Sequence, residues 1–255
     1  MARIASVFNN EVDKVMGFGK FFGFFSKALL LGMNWLHSAL GIPYGWAIIV
    51  ITFIIKMLFW PLTRAQARMG KRMQALQPQM KALQEKNKDD PLKSQKKLME
   101  FMKENKVNPM GGCAPMLVQM PVFIGFFYMI RSAIELRGAS FLWVQDLSRP
   151  DTLFHIGPFP FNLLPLIMGA TMLWQAHLTP PSPGMDPVQQ KMMRYMPLIF
   201  LFFLYNYQAG LALYWTVNNL LTIVQTKLTR MEPAKEAAAP PGKPAALTPA
   251  PKKKK

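Results

Sequence analysis

YGWAIIVITFIIKMLFWPLT, residues 44–63, is an apolar stretch that carries a single lysine, Lys56. At about 1.5 Å per residue, a helix of this length covers roughly 30 Å, the thickness of the hydrocarbon layer of a bilayer. The stretch therefore predicts a first membrane span from Tyr44 to Thr63.

Lys56 needs an explanation, because an ammonium group inside the hydrocarbon layer costs about 2.5 kcal/mol or more unless it finds water or a partner. One interpretation is a functional group within the membrane. The other is that its long stem reaches the nearer headgroups, since Thr63 follows only seven residues later. Thr52 lies one helical turn before Lys56, so both side chains can face the same cavity.

The composition indicates a polytopic membrane protein with basic loops. Hydrophobic residues make up 51% of the chain, and 30 Lys and Arg residues oppose 13 Asp and Glu residues. These charges lie mainly between and after the apolar runs, which is typical of loops that face anionic lipid and the cytoplasm. Cys113 is the only cysteine, so no internal disulfide can form. The three separated histidines lack metal-ligand spacing, and we expect no cofactor.

The segment before the first span, residues 1–43, predicts an amphipathic helix that lies in the membrane surface. Lys20, Lys27 and Asn34 recur every seven residues and therefore share one face of a helix between Val15 and Leu40. A complete transmembrane helix is the alternative. No signal peptide is evident at the start of the sequence.

Residues 64–110 predict a cytoplasmic, antiparallel hairpin of two helices. From Arg64 to Pro109 the chain has twelve basic and five acidic residues, and Asp90 followed by Pro91 is a good helix start. Apolar residues in the first helix recur at steps of four and three, as in a coiled-coil seam. Pro78 is expected to bend or loosen this helix.

We expect Leu92, Met99 and Met102 to form the face of the second helix that meets the first. A methionine-rich seam is usually core, but methionine also adapts to varied apolar partners. The hairpin methionines are therefore candidate contacts for a client segment or a partner, namely Met69, Met73, Met80, Met99 and Met102.

Apolar runs after the hairpin predict four further spans within residues 111–229. The loop 131–159 has three basic and three acidic residues, so the positive-inside rule places the far more basic hairpin in the cytoplasm and this loop outside. The result is an all-α polytopic protein with five spans, its amino terminus outside and its carboxyl terminus inside. The four further spans run from Pro115 to Ile134, Pro160 to Ala176, Met192 to Tyr207 and Leu211 to Gln225.

Five segments of the chain together resemble the YidC family of membrane protein insertases, which has mitochondrial and chloroplast relatives. They occur in the family's order, and the resemblance covers roughly Phe18 to Thr229. Gram-negative members usually begin with an extra span and a large periplasmic domain, which this sequence does not show. The segments are ITFIIKMLFWPLTRAQ (51–66), LQPQMKALQEK (76–86), NPMGGCAPMLVQMPVF (108–123), DPVQQKMMRYMPLIF (186–200) and GLALYWTVNNLLTIVQ (210–225).

The resemblance implies a polar groove, open to the cytoplasm and to lipid, with a basic residue at its middle. Lys56 is the matching position, where many bacterial members have arginine; lysine keeps the charge but cannot make arginine's paired contacts. Tyr214 and Trp215 resemble the family's aromatic pair in the groove, although core packing is the ordinary role of such residues. Gln119 and Gln175 are plausible additional polar groups, and Thr52 completes the predicted groove set.

The function implied by the resemblance is that of an insertase and folding chaperone in the bacterial inner membrane, and not of an enzyme. No GxxxxGK[ST] nucleotide motif is present. A structural assembly partner of membrane complexes is one alternative. A solute transporter is another, but no convincing internal repeat is found. Expected partners are nascent membrane proteins, the lipid bilayer, translating ribosomes and the Sec translocon.

Residues 230–255, rich in alanine, proline and lysine, predict a disordered basic tail in the cytoplasm. Its last four residues are candidate contacts for ribosomal RNA or anionic lipid, since both are polyanionic. These are Lys252, Lys253, Lys254 and Lys255.

Overall fold

The computed structural model of the chain describes residues 23–87, 90–105, 114–178 and 187–231. Cys113 and Lys252–Lys255 lie outside these residues. The described part is mostly helical, and its helices are α1 (Gly23–Leu40), α2 (Tyr44–Leu58), α3 (Trp60–Lys86), α4 (Pro91–Glu104), α5 (Ala114–Ser132), α6 (Leu163–Leu178), α7 (Pro187–Leu204) and α8 (Ala209–Met231).

Helix α8 organises the packing, because it contacts α2, α3, α5 and α6. Its first turns enter the apolar core, where Leu211, Leu213 and Tyr214 are buried. Gly210 allows a close approach there, since a Cβ at this position would lie 3.1 Å from the carbonyl oxygen of Leu147. The start of α8 is therefore fixed against the segment that precedes α6.

Helix α1 packs along α5 and α2. It buries Leu30, Met33 and Leu36, and the Ser26 hydroxyl donates a 3.1 Å hydrogen bond to the carbonyl oxygen of Gly125 on α5. Buried apolar residues at helical spacing explain why this segment is a helix with one inward face. Its position in the membrane surface stays a prediction.

The predicted first span is divided at Phe59, where α2 ends and α3 begins with a bend of 61°. Pro61 lies in the first turn of α3, where a missing backbone N–H leaves no helical hydrogen bond unmade. Among the described residues, no single helix has both the length and the hydropathy needed to cross a membrane, whereas α2 and α3 pass that test as a bent pair.

Helices α3 and α4 pack together around Met80, Leu98 and Met102. The start of α4 agrees with the prediction, because Asp90 Oδ1 accepts a 3.0 Å hydrogen bond from the backbone N–H of Lys93. Helix α3 continues through Pro78 without ending there.

The predicted inner face of α4 is wrong in two positions. Leu92 and Met99 are exposed, and Leu98 is buried instead. Since each residue turns the helix by about 100°, Leu98, Phe101 and Met102 form one continuous face and Met99 lies well to its side.

The segment between α5 and α6 is more ordered than a loop, and the all-α prediction is wrong here. It contains a 3₁₀ turn (Ile134–Leu136) and an antiparallel hairpin of β1 (Thr152–Ile156) and β2 (Phe159–Asn162). Helix α6 therefore begins at Leu163 and not at Pro160, because Pro160 pairs with His155 in the hairpin.

Backbone hydrogen bonds attach this connecting segment to α8. The carbonyl oxygen of Leu147 accepts from the N–H of Gly210 at 2.9 Å, and that of Arg149 accepts from the N–H of Ala209 at 2.7 Å. Both N–H groups belong to the first turn of α8, which has no partners within its own helix. The side chain of Leu147 is also fully buried in the main core.

We predict that Leu147→Ala lowers the free energy of unfolding by about 2–5 kcal/mol, the usual cost of a cavity in a packed core. Thermal unfolding of the purified protein in detergent measures this effect. Leu142→Ala in the same segment is the matched control, since Leu142 is 69% exposed. Equal losses of stability for the two variants would contradict the docking of this segment.

Candidate functional site

Lys56 lies in the last turn of α2 and points into the helical assembly. It is 9% exposed, and its Nζ donates a 2.9 Å hydrogen bond to the Thr222 hydroxyl on α8. Lys56 forms no ion pair with any described residue. A buried ammonium group with three N–H donors therefore has one neutral acceptor here, which leaves capacity for water or for an acidic group.

Thr222 belongs to a row of polar residues on α8. Asn218, Thr222, Gln225 and Thr229 follow at steps of four, three and four, which places them along one helical face. The Thr222 hydroxyl also donates to the carbonyl oxygen of Asn218 at 2.7 Å. In a helix whose first turns are apolar, this polar row is a distinct feature of the second half.

The polar row of α8, residues 218, 222, 225 and 229, meets α3 as well as α2. Gln225 Nε2 donates to the Thr63 hydroxyl, and Lys71 Nζ donates to the carbonyl oxygen of Thr229. Together with the Lys56 contact, these hydrogen bonds join α8 to both sides of the α2–α3 bend. The polar row thus joins the last described helix to α2 and α3 through polar contacts.

A neighbouring face of α8 makes a polar contact with α6. Asn219 is buried, and its Nδ2 donates a 3.2 Å hydrogen bond to the Thr171 hydroxyl. The Thr171 hydroxyl in turn donates to the carbonyl oxygen of Met168 at 2.7 Å. Polar groups thus occur on the α6 side of α8 as well as on the α2 side.

Thr52, the predicted neighbour of Lys56, is buried on α2. Its hydroxyl donates to the carbonyl oxygen of Ile48 at 2.7 Å. This hydrogen bond within the helix satisfies the hydroxyl donor, so Thr52 contributes an oxygen acceptor to its surroundings.

Gln119 and Tyr214 form a second polar contact, between α5 and α8. Gln119 Nε2 donates to the Tyr214 hydroxyl at 2.8 Å. The Tyr214 ring is buried and stacks on Phe126 with 3.9 Å between the ring centroids. Tyr214 is therefore held in the core on the α5 side, and no hydrogen bond of this pair reaches Lys56 or Thr222.

The other two predicted groove residues lie at separate positions. Trp215 is half-buried, and its ring lies edge-on to Phe123 with centroids 4.6 Å apart. Phe200 on α7 is its other aromatic neighbour, at 5.6 Å. Gln175 is half-buried on α6. The structure thus pairs Lys56 with Thr222, pairs Gln119 with Tyr214, and packs Trp215 between α5 and α7.

The predicted contact methionines of α3 and α4 fall into two groups. Met73, Met80 and Met102 are buried, the last two between α3 and α4, whereas Met69 and Met99 are 42% and 47% exposed. Only the second group offers side-chain surface to another chain. No group of three or more potential metal ligands occurs within the described residues.

The sequence analysis missed the partner of Lys56. Thr222 and the rest of the polar row carry a readable signal, because polar side chains recur at steps of three and four after the apolar first turns of the helix. From the same helix, the predicted groove residues were Tyr214 and Trp215 instead. Periodicity does not predict that α8 packs against α2, a contact that joins residues 166 positions apart.

Comparison with known proteins finds a matching family model and related proteins that agree with it. Residues 35–236 match the family model described as 60Kd inner membrane protein. The chain is 44% identical to the membrane protein insertase YidC of Neisseria gonorrhoeae over 224 residues, which is 86% of this chain and 39% of that protein. It is 46% identical to that of Citrifermentans bemidjiense over 217 residues, 85% of this chain and 38% of that protein.

The fold is also similar to a crystal structure of an active YidC insertase with its first transmembrane domain resolved. The TM-score is 0.61 at 29% sequence identity, and the match covers 89% of this chain and 52% of that chain.

A mostly helical member of an inner-membrane protein family is therefore the class that these findings define. The chain belongs to the 60Kd inner membrane protein family, the family of YidC, which confirms the resemblance seen in the sequence. The chain spans about two-fifths of the length of the curated relatives that it matches.

We predict that Thr222→Val lowers the free energy of unfolding by about 1.5–3 kcal/mol, because it removes the hydroxyl that accepts from the Lys56 ammonium group. Thr226→Val is the matched control, since the Thr226 hydroxyl bonds only within its own helix. Chemical or thermal unfolding in detergent measures both variants. If the two substitutions cost the same, the Lys56 contact does not contribute to stability.

Proposed function

We propose that this protein is a membrane protein insertase and folding chaperone. It moves short hydrophilic flanks of nascent membrane proteins across the bilayer and releases their apolar segments sideways into lipid. The observation that carries the proposal is Lys56, a buried cation at the end of an apolar helix, which has a single neutral acceptor among the described residues and lies against the polar row of α8. The relatives' names as insertases support the same function.

In this proposal the polar row of α8, with Lys56 and Thr52, lines the groove that receives the hydrophilic flank. An ammonium group within a membrane protein favours water and acidic groups in its surroundings. Lys56 lacks a carboxylate partner among the described residues, so an acidic flank can supply one. The flank would exchange with the Thr222 hydroxyl, because a carboxylate is a stronger acceptor for an ammonium group than an uncharged hydroxyl is.

Five membrane crossings are part of the proposal, formed by the α2–α3 bend region, α5, α6, α7 and α8. Helix α2 has 15 residues and α6 has 16. At 1.5 Å per residue each covers only about 24 Å or less, compared with a hydrocarbon layer of about 30 Å. Short helices of this kind favour local thinning of the bilayer, which lowers the barrier for a polar segment.

The topology follows from charge. We propose that α3 and α4, the antiparallel hairpin of residues 64–110, lie in the cytoplasm and that the segment between α5 and α6 lies outside. The amino terminus is then outside and the carboxyl terminus inside. Family membership indicates the bacterial inner membrane as the location. Contact of Lys252–Lys255 with ribosomes and cooperation with the Sec translocon stay predictions.

The sequence alone leaves two other functions open. A structural assembly partner would not need to move a chain by itself, so autonomous insertion in vesicles separates it from an insertase. A solute transporter places binding groups on repeated, broken helices. Among the described helices, one bent pair has the length and hydropathy to cross a membrane, and it is α2 with α3. The insertase remains the function that the buried lysine and the polar row support best.

We predict that Lys56→Ala reduces insertion of a single-span client with an acidic flank at least fivefold, the factor that corresponds to about 1 kcal/mol. The measurement is protease protection of the client in liposomes that contain the purified protein, compared with empty liposomes. Lys56→Arg should retain insertion because it keeps the charge. Lys191→Ala, which removes an exposed lysine of α7, is the control and should behave as wild type.

A second client with a neutral flank tests the role of charge. Lys56→Ala should affect this client less than the acidic one. Equal effects on both clients would exclude attraction between Lys56 and the acidic flank. No effect on either client would indicate that the Lys56 side chain serves only to reach the lipid headgroups. No insertion above empty liposomes by the wild type would favour the assembly partner.

We also predict that the hairpin meets clients through its exposed methionines. A photoreactive amino acid at position 69 or 99 should give adducts with a ribosome-bound nascent membrane protein. The same group at position 73 should give none, because Met73 is only 7% exposed. Leu92, which is 79% exposed, provides a control for simple accessibility. Adducts at 92 as strong as those at 69 and 99 would contradict a specific methionine contact.

A further inference from the structure

A cavity of about 290 Å³ lies where the end of α5, the segment after it and the start of α8 meet. Arg131 at the end of α5 lines it, together with Arg137 and Arg149 of the connecting segment. Asp146 is the single carboxylate in the lining. Three arginines and one aspartate give this small cavity a formal charge of +2.

The positive charge is only partly compensated within the protein. Arg149 Nε lies 3.5 Å from Asp146 Oδ2. Arg131 and Arg137 form no ion pair with any described residue. Two planar guanidinium groups thus border one cavity without an acidic partner from the described chain. That arrangement suits an anion with several oxygen atoms, because guanidinium groups bind phosphate through paired hydrogen bonds.

Asp146 is engaged in shaping the segment. Its Oδ1 accepts hydrogen bonds from the backbone N–H and the hydroxyl of Ser148, at 2.8 Å and 2.7 Å. Burial raises the pKa of this carboxyl, but the hydrogen bonds from Ser148 and from the Gly138 backbone, with the charge of Arg149, outweigh burial and lower the pKa. Asp146 is therefore a fixed anion that faces Arg149 and leaves the other two arginines available.

The cavity is built on a fixed frame. The carbonyl oxygens of Leu147 and Arg149 accept hydrogen bonds from the first turn of α8, so the segment that carries Arg149 is tied to a core helix. Arg131 is attached to α5, next to the buried residue Ile130. With the backbone fixed, the entropy lost on binding is confined to the arginine side chains.

Gln208 adds a second chemical requirement. It lines the same cavity, and its Oε1 is buried without a hydrogen-bond donor among the described residues. A buried acceptor of this kind favours a ligand that brings a hydroxyl donor. The ligand should therefore combine an anionic phosphate with a hydroxyl group.

We propose that this cavity binds the phosphate of a glycerophosphate group. Its volume of about 290 Å³ is large enough for a small group of about ten non-hydrogen atoms, the size of glycerophosphate. The group has two potential sources, the headgroup of phosphatidylglycerol or a free phosphate ester.

Exposed apolar side chains surround this part of the chain. Leu142, Phe154 and Phe159 are each more than half exposed in the same connecting segment. Apolar and aromatic side chains beside arginines are the usual composition at a membrane surface. The lipid headgroup is thus the source that we expect. The proposal does not depend on insertase activity.

The test uses the purified full chain and two probes. In one arm, the protein is reconstituted in nanodiscs of mixed phosphatidylglycerol and phosphatidylcholine, and native mass spectrometry counts the lipids that remain bound. In the other arm, labelled glycerol 3-phosphate is titrated in detergent. The test variant is Arg131→Gln combined with Arg137→Gln. Arg194→Gln is the matched control, because Arg194 is an exposed arginine of α7 outside the cavity.

The wild type and Arg194→Gln should retain phosphatidylglycerol, and the double variant should bind it at least about tenfold more weakly, since each lost charged hydrogen bond is worth about that factor. Retention of lipid without binding of glycerol 3-phosphate identifies the headgroup as ligand; saturable binding of glycerol 3-phosphate that the double variant loses identifies the free ester. Unchanged binding by the double variant, or no binding of either probe to the wild type, would overturn the proposal.

Two further measurements keep the result interpretable. Arg137→Lys retains the charge at an exposed position but not the fork geometry, so it should fold normally and show intermediate binding. Full binding by Arg137→Lys together with full binding by the double variant would again overturn the proposal. Client insertion by the same variants is measured in parallel, and it should stay at the wild-type level, which separates failure of this site from failure of the insertase.

Discussion

The hydrogen bond between the Lys56 ammonium group and the Thr222 hydroxyl is the contact on which the rest of the site depends. A buried cation needs polar neighbours, and those neighbours must come from another helix because α2 itself is apolar. The polar row of α8 supplies them, with residues at steps of three and four that share one face. The first turns of α8 are apolar and anchor the same helix in the core. One helix thus combines an apolar anchor with a polar second half.

Much of the fold follows from local sequence patterns. The apolar run around Lys56, the Asp90–Pro91 helix start and the helix around Phe123 all depend on interactions within a few residues. Two details of the fold could not be predicted from local sequence patterns. The hairpin of β1 and β2 lies in a segment of ordinary loop composition, and it makes contacts distant in sequence, such as that of Asn162 with Tyr205 just after α7. The inner face of α4 depends on the angle at which it meets α3.

The candidate site could be predicted only in part. The unpaired charge of Lys56 within an apolar run was visible, and the family resemblance indicated a groove. The partner Thr222 is 166 positions away, and no periodicity within either helix specifies how the two helices pair. Tyr214 shows the opposite case: the resemblance suggested a groove residue, and the structure places its ring in the core against Phe126. The pairing of Thr222 with Lys56 and the position of the Tyr214 ring both depend on how the helices pack against each other, which local sequence patterns do not predict.

The bend at Phe59 has an electrostatic consequence for the same lysine. Because α2 ends at Leu58, Lys56 lies in the last turn of a separate helix and not in the middle of a continuous one. The aligned peptide dipoles of a helix give its carboxyl end a partial negative charge, which stabilises a nearby cation by about 1 kcal/mol or less. A straight helix through residues 44–86 would place that end some 30 residues away. Breaking the helix beside Lys56 therefore brings the negative end of α2 to the lysine, and the positive amino end of α3, which begins at Trp60, offsets part of that effect.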